Sequence, residues 1–234
     1  MSITENLSAI RERIGVAAQQ ARRKPADVAL MAVCKTFPAE AIMEAYQAGQ
    51  RLFGENRVQE FGEKFPKVAD LADARFHMIG HLQSNKTAKA AEIFHAVDSI
   101  DSAKLAQRLN DAAQKLGKTL DVLIEINVGE EEAKSGLPPD SPEIEAILMQ
   151  AAQWTNLRVR GLMTVPPYIE EPEGARPYFR KLRELRDRLA ARKFTSVSLD
   201  VLSMGMSHDF EVAIEEGSTC VRIGTAIFGE RHYL

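Results

Sequence analysis

Short apolar runs alternate with amphipathic stretches about eight times along this chain of 234 residues, and few folds accommodate that rhythm. The runs lie at residues 28–36, 51–56, 75–80, 94–100, 121–128, 157–165, 196–204 and 220–225. Each is short and bounded by turn residues or a helical pattern, as a buried strand is. The clearest is Val122-Leu123-Ile124-Glu125-Ile126. Helical signals fall between the runs. Ser2 and Glu5 have capping-box spacing ahead of Leu7, Ile10, Ile14, Ala17 and Ala21, which recur on one helix face. The helix after the first run stops near Gly49. Ser102 caps a helix through Leu105, Leu109 and Leu116, closed by Gly117. Ser141-Pro142 opens another, with proline suited to a first turn. Phe179, Leu182, Leu185 and Leu189 mark a long one, and a short one runs from Asp209 to Gly217.

Strands joined by helical crossovers pair in parallel. Eight such units fit a closed (β/α)₈ TIM barrel, an α/β fold of about 250 residues. The competing open, doubly wound sheet expects a glycine-rich turn after a strand. Here the first turn is Lys35-Thr36-Phe37-Pro38. No linker or low-complexity tract interrupts the pattern, so residues 1–234 are expected to form one domain, with residues 1–22 as an N-terminal helix packed on it.

The net charge of −3 implies no general attraction to nucleic acid or an anionic membrane. No apolar run is long enough to span a bilayer, and the polar N-terminus does not read as a signal peptide. Cys34 and Cys220 have neither metal-ligand nor redox spacing and read as small hydrophobes in strands, so a reducing cytoplasm is the expected compartment. His77, His81, His95, His208 and His232 lack ligand spacing. Arg176, Arg180, Lys181, Arg183, Arg186, Arg188, Arg192 and Lys193 are interleaved with Glu184 and Asp187, which reads as a solvated helix face. Residues 130–132 read as a solvated acidic loop, and His81 and Lys134 are given no role.

The chemistry is expected where the C-terminal ends of the barrel strands converge. Lys35 closes the first run, at the end of a strand read as buried on both faces. Burial disfavours an ammonium, which makes its amine nucleophilic and suited to a Schiff base with an aldehyde. The alternative is a lysine whose head reaches the rim or pairs with a buried carboxylate. Asn56 ends the second run. Met204-Gly205-Met206-Ser207 follows the seventh, and Gly224-Thr225 ends the eighth. Loops after the last two strands of such barrels commonly hold phosphate. Glycines, hydroxyls and backbone N–H groups there have the right chemistry, although each alone reads as ordinary turn or cap chemistry. Closure places the first strand beside the eighth, so Lys35 adjoins these loops. An amine beside a phosphate seat points to a phosphorylated aldehyde such as pyridoxal 5′-phosphate (PLP). Arg222, two residues before Gly224, faces the same side of its strand. It would donate to a pyridine nitrogen without protonating it, or pair with a barrel carboxylate such as Glu125.

The segments AVCKT, FGENRVQE, FHMIGHLQSNK, IEINVGEEEAKSG, GLMTVPP and LSMGMSHDFEVAIEEGSTCVRIGTAIFG resemble the PLP homeostasis proteins of the YggS/PROSC type, from about Val28 to Arg231. The resemblance implies the fold-type III barrel of the alanine racemase N-terminal domain. It implies an internal aldimine between PLP and Lys35, and Arg222 facing the pyridine nitrogen. Phosphate contacts are implied from Ser207, Gly224 and Thr225 with the Met206 backbone close by, and Asn56 near the ring. Only residues 230–234 follow the last motif, which leaves no room for the C-terminal β domain that supplies a catalytic tyrosine in racemases. The expectation is a monomer that holds PLP and supplies it to apo-enzymes. A PLP-dependent amino-acid racemase and a cofactor-free Schiff-base aldolase are the rival readings.

Overall fold

The computed structural model describes residues 2–131 and 134–229. Glu132 of the acidic loop, His232 and the rest of the 230–234 stretch lie outside the described residues. In chain order the elements are α1 (Ile3–Gln20), β1 (Ala29–Val33), α2 (Ala39–Gln47), β2 (Leu52–Glu55), α3 (Val58–Val68), β3 (Arg75–Met78), α4 (Thr87–Ile93), β4 (Ala96–Ile100) and α5 (Ala103–Lys115). There follow β5 (Leu120–Glu125), α6 (Pro142–Gln150), β6 (Leu157–Met163), α7 (Arg176–Ala190), β7 (Val197–Ser203), α8 (Phe210–Glu215), β8 (Cys220–Ile223) and α9 (Thr225–Phe228). The eight strands pair in parallel, in sequence order, into a closed barrel. The seam is closed by β8 on β1, with Met31 opposite Arg222 and Ala32 opposite Ile223.

Alternation along each strand sorts the side chains into two layers. Ala32, Phe53, Val221 and Ile223 belong to the apolar layer between sheet and helices. Met31, Met163 and Cys220 face inward, in a barrel that also buries the polar side chains of Asp98, Glu125, Ser203 and Arg222. On one side the outer layer is aromatic: the Phe61 ring of α3 lies 4.8 Å from Phe76 and 4.9 Å from Phe94. The helix caps follow their sequence signals. Ser2 and Glu5 form the capping box, and Ser102 and Ser141 accept from the first turns of α5 and α6. Helix α1 buries Leu7, Ile10, Ile14, Ala17 and Ala18, and Asn6 donates to the Ile227 carbonyl at 2.9 Å, which ties α1 to α9.

Some expectations need correction. The strands stop one to three residues before the C-terminal ends of most of the apolar runs, so the barrel mouth is walled by apolar loop residues outside the ladder. Lys35 therefore lies in a turn two residues past β1, and it is partly exposed rather than buried. The first strand is not buried along its whole length either, since Ala29 is exposed where it enters the sheet. Leu116 is 46% exposed, because α5 ends at Lys115 and the chain turns away through Gly117 at φ +62°. The basic helix α7 does present a solvated face, with Arg180, Lys181, Glu184, Asp187 and Arg188 exposed, and it also has a definite partner: Arg176, Arg180 and Arg183 converge on Glu216, whose side chain is only 5% exposed. Burial alone would raise the Glu216 carboxyl, but the guanidinium groups hold it below the usual carboxylate range.

Candidate functional site

A cavity of about 340 Å³ opens at the C-terminal ends of the strands. Lys35, Asn56, Met206, Ser207, Arg222, Gly224 and Thr225 all line it, so the fold gathers every site residue expected from the sequence around one space. Val33, Phe37, Ile79, Val165 and His208 complete the wall. Arg222 alone of the expected seven projects from within a strand. Thr225 opens α9, and the other five stand on loops just beyond the ladder.

The loop after β7 is built around a glycine and an acid. Gly205 has φ +93°, and a Cβ there would lie 2.6 Å from the Ala213 Cβ and 3.0 Å from the Phe210 Cα. Only glycine suits both the angle and the space. The Met206 N–H donates to Asp209 Oδ1 at 2.7 Å, while the Met206 carbonyl accepts from the Asp209 and Phe210 N–H groups. The Met206 backbone thus serves the loop's own shape, while Ser207 and Thr225 bring hydroxyl side chains to the cavity wall. Burial pushes the Asp209 carboxyl up, partly offset by the Met206 N–H. Its structural role had only a faint sequence signal, an Asp at the start of a short helix. Gly224 brings the two seam loops together, since a Cβ there would lie 3.2 Å from the Val33 carbonyl oxygen. Thr225 opens α9, where the first N–H groups have no acceptor within the helix.

Arg222 is 4% exposed. It donates to Ser203 Oγ at 2.7 Å and to the Thr164 carbonyl at 2.6 Å. Pairing with Glu125 was one expectation. The guanidinium instead makes its hydrogen bonds to neutral oxygens, and Glu125 acts on it only through the field. Burial lowers the Arg222 pKa, opposed by nearby acidic groups that include Asp98, Glu125 and Asp209. Arginine keeps its proton in such surroundings. Burial also pushes the Glu125 carboxyl up. Ser135 donates to its Oε1 at 2.9 Å, and its buried Oε2 has no partner among the described residues.

Lys35 sits in a tight turn closed by the Phe37 N–H on the Cys34 carbonyl, 3.2 Å away. Thr36 follows at φ +67°. A β-branched residue in that region carries strain of about 1–3 kcal/mol. Helix α3 reaches this turn from behind the barrel wall. Lys64 Nζ donates to the Cys34 carbonyl at 3.1 Å, to Glu55 at 2.9 Å and to Glu60 at 2.7 Å, and the Thr36 N–H donates to Glu60 Oε1 at 2.6 Å. Burial pushes the Cys34 thiol well up, which makes it unreactive. None of these supports was anticipated. Their only trace in the sequence is the Glu60–Lys64 spacing of four, which is commonplace on helices. Asn56 is placed by close backbone contact, since a Cβ on Gly80 would lie 2.4 Å from the Asn56 carbonyl oxygen. His208 meets the Glu170 carbonyl at 2.7 Å, His81 stands 3.4 Å from Asp101, and Lys134 contacts Glu131 and the Pro166 carbonyl.

An amine, two hydroxyls, helix-start N–H groups and a buried guanidinium thus face one small space. That donor set matches an aldehyde bearing a phosphate and a ring nitrogen. Comparisons with known proteins point the same way. Residues 6–232 match the profile described as alanine racemase, N-terminal domain. The chain is 48% identical over 233 residues, the whole of both chains, to a pyridoxal phosphate homeostasis protein of Aquifex aeolicus (strain VF5). It is similar to PipY of Synechococcus elongatus PCC7942 with PLP bound, at 37% identity and a TM-score of 0.84, covering 97% of this chain and 100% of that one. An alanine racemase of Clostridium difficile 630 matches at 15% identity with a TM-score of 0.69, covering 99% of this chain and 57% of that one, which shows a shared fold alone.

Proposed function

The chain belongs to the family of pyridoxal phosphate homeostasis proteins, built on the alanine racemase N-terminal domain, and from that premise we propose that it holds PLP at the barrel mouth and supplies it to apo-enzymes. The observation that carries the reading is the convergence of Lys35, Ser207, Thr225 and Arg222 on one cavity. When bound, PLP supplies an aldehyde that an amine can capture and a ring that can withdraw electrons. Lys35 would hold the aldehyde carbon covalently through its amine. Ser207, Gly224 and Thr225 would hold the phosphate, with hydroxyls and N–H groups donating to its oxygens. Asn56 would lie beside the ring.

Arg222 would donate to the ring nitrogen. Its own proton is not given up, so that nitrogen stays unprotonated and the ring is a weak electron sink. Such a site favours holding and releasing the cofactor over amino-acid turnover. On the same reading the protein works as a cytoplasmic monomer. Among the described residues no helix is long and apolar enough to cross a membrane.

The test is transfer. The chain is loaded with PLP, freed of excess by gel filtration and mixed with a PLP-dependent apo-enzyme. Activation of the apo-enzyme with matching loss of the chain's visible band is expected, on a time course distinct from that of free PLP. Failure to acquire a visible band overturns binding, and a band with no activation overturns supply. Sustained amino-acid racemisation by the loaded chain would instead favour an enzyme.

The phosphate loops have their own check. Ser207→Ala combined with Thr225→Val removes two hydroxyl donors to a dianion and is expected to raise the Kd for PLP by about 30-fold or more. Spectroscopic titration reads the change. An unaltered Kd would take the phosphate away from these loops.

A further inference from the structure

We propose that Glu60 and Lys64, one turn apart on α3, are positioning residues that clamp the turn carrying Lys35 and hold its amine toward the cavity. The inference rests on the reading of Lys35 as the capturing amine. The contacts fall on the backbone at both sides of that residue. The carbonyl of Cys34 accepts from Lys64 Nζ at 3.1 Å, and the N–H of Thr36 donates to Glu60 Oε1 at 2.6 Å. The clamp is itself braced: Lys64 bonds Glu60 at 2.7 Å and Glu55 at 2.9 Å, and the Glu55 side chain is fully buried. An ammonium has three N–H groups, and these three acceptors match them. Phe61 anchors the same stretch of α3 in the aromatic layer.

The turn needs such a clamp. Thr36 adopts φ +67° at a place in the turn where glycine or asparagine is the usual occupant. Released from Glu60, Thr36 would relax toward negative φ. The peptide between Lys35 and Thr36 would then rotate and carry the lysine stem with it. The carboxylate and the ammonium thus act on Lys35 through its neighbours' backbone, without touching the cavity.

The test uses the full chain with Glu60→Ala, Glu60→Gln and the pair Glu60→Ala with Thr36→Gly, each first checked for a cooperative melt. One readout needs no cofactor. Reductive methylation by formaldehyde and cyanoborohydride is mapped by mass spectrometry, and labelling of Lys35 is compared with that of the exposed Lys104 and Lys115. The other is the rate and wavelength of the visible band on adding PLP. Glu60→Ala is expected to slow PLP capture by about tenfold and to change the relative labelling of Lys35, as displacement of a reacting atom does. Glu60→Gln keeps an acceptor for the Thr36 N–H and should stay close to the parent. Thr36→Gly removes the strain that the clamp opposes, so the double variant should recover most of the lost rate.

Unchanged capture and labelling in Glu60→Ala would overturn the proposal. So would a slowed rate that Thr36→Gly does not restore, since general loosening of the fold would not be cured by a glycine. If the parent chain captures no PLP while the variants still alter Lys35 labelling, the functional reading fails and the clamp stands. Should Glu60→Ala not fold, Lys64→Gln with and without Thr36→Gly is read by the same two outcomes.

Discussion

Lys35→Ala is expected to abolish covalent retention of PLP and leave the barrel folded. The side chain is partly exposed and stands in a turn outside the ladder, so its loss opens no core cavity. The turn's backbone contacts to Glu60 and Lys64 do not involve the lysine side chain, and they survive truncation. The melting temperature should therefore stay within a few degrees of the parent. Binding should not. The loops proposed to hold the phosphate remain, as does Arg222, so PLP would still visit the cavity. Without the amine, however, the loss of about 3 kcal/mol or more corresponds to a Kd raised by about 100-fold or more. After borohydride treatment, mass spectrometry of the parent should find the pyridoxyl group on the Lys35 peptide, and the variant should carry none at that position. A borohydride-fixed adduct of equal yield in Lys35→Ala would move the anchor to another amine, with Lys134 the first to examine.

How much of this was legible in the sequence depends on whether the signal was local. The barrel was legible because eight apolar runs with helical patterns between them admit few topologies. The gathering of Lys35, Asn56, Ser207 and Thr225 followed from topology alone, as residues after parallel strands meet at one end. The strand ends were not legible, because Cys34 and Met204 are as buried as ladder residues without belonging to a strand. Hydrophobicity reports burial, and here burial continues into the loops of the mouth. Helix α3 was obscured by Gly62 and by Pro66 near its end, and α4 has too few turns to show a period. The supports escaped for a different reason. Asp209 on the Met206 N–H, Glu60 on the Thr36 N–H and Arg222 on the Thr164 carbonyl are contacts between side chains and main-chain atoms. No pairing of residue types announces them. That is also why a carboxylate partner for Arg222 was a reasonable expectation and a neutral carbonyl was the outcome.

The dependence of the site on main-chain geometry makes Gly161→Ala the substitution with the largest expected cost to the fold. Gly161 lies in β6 opposite Leu123 on β5 and Val201 on β7. The β6 register shifts near this residue against both neighbours, and the strands close in. A Cβ on Gly161 would lie 1.9 Å from the Val201 carbonyl oxygen, 2.7 Å from its carbon and 3.0 Å from its Cα. These are ladder atoms, so no side-chain rotation relieves the contact, and β6 and β7 must part. Three residues on, Thr164 donates its N–H to the Ser203 carbonyl at 3.1 Å and its hydroxyl to the Ile126 carbonyl at 2.6 Å, while its own carbonyl receives Arg222. Ser203 supplies the other acceptor for that guanidinium. Parting the two strands therefore separates the two oxygens that hold Arg222. We expect a loss of about 3 kcal/mol or more, near the top of the range for overpacking. For a chain of this size that lowers Tm by about 10 °C. Weaker PLP binding should accompany it even at temperatures where the variant is fully folded. Gly62→Ala is the matched control. It lies within α3, where the nearest atom to an added Cβ is the Lys89 Cε at 3.8 Å, so alanine should leave Tm unchanged or raise it through helix propensity. Equal melting of Gly161→Ala and the parent would mean that β6 and β7 do not approach as closely as drawn, and the placement of Arg222 would lose its footing with them.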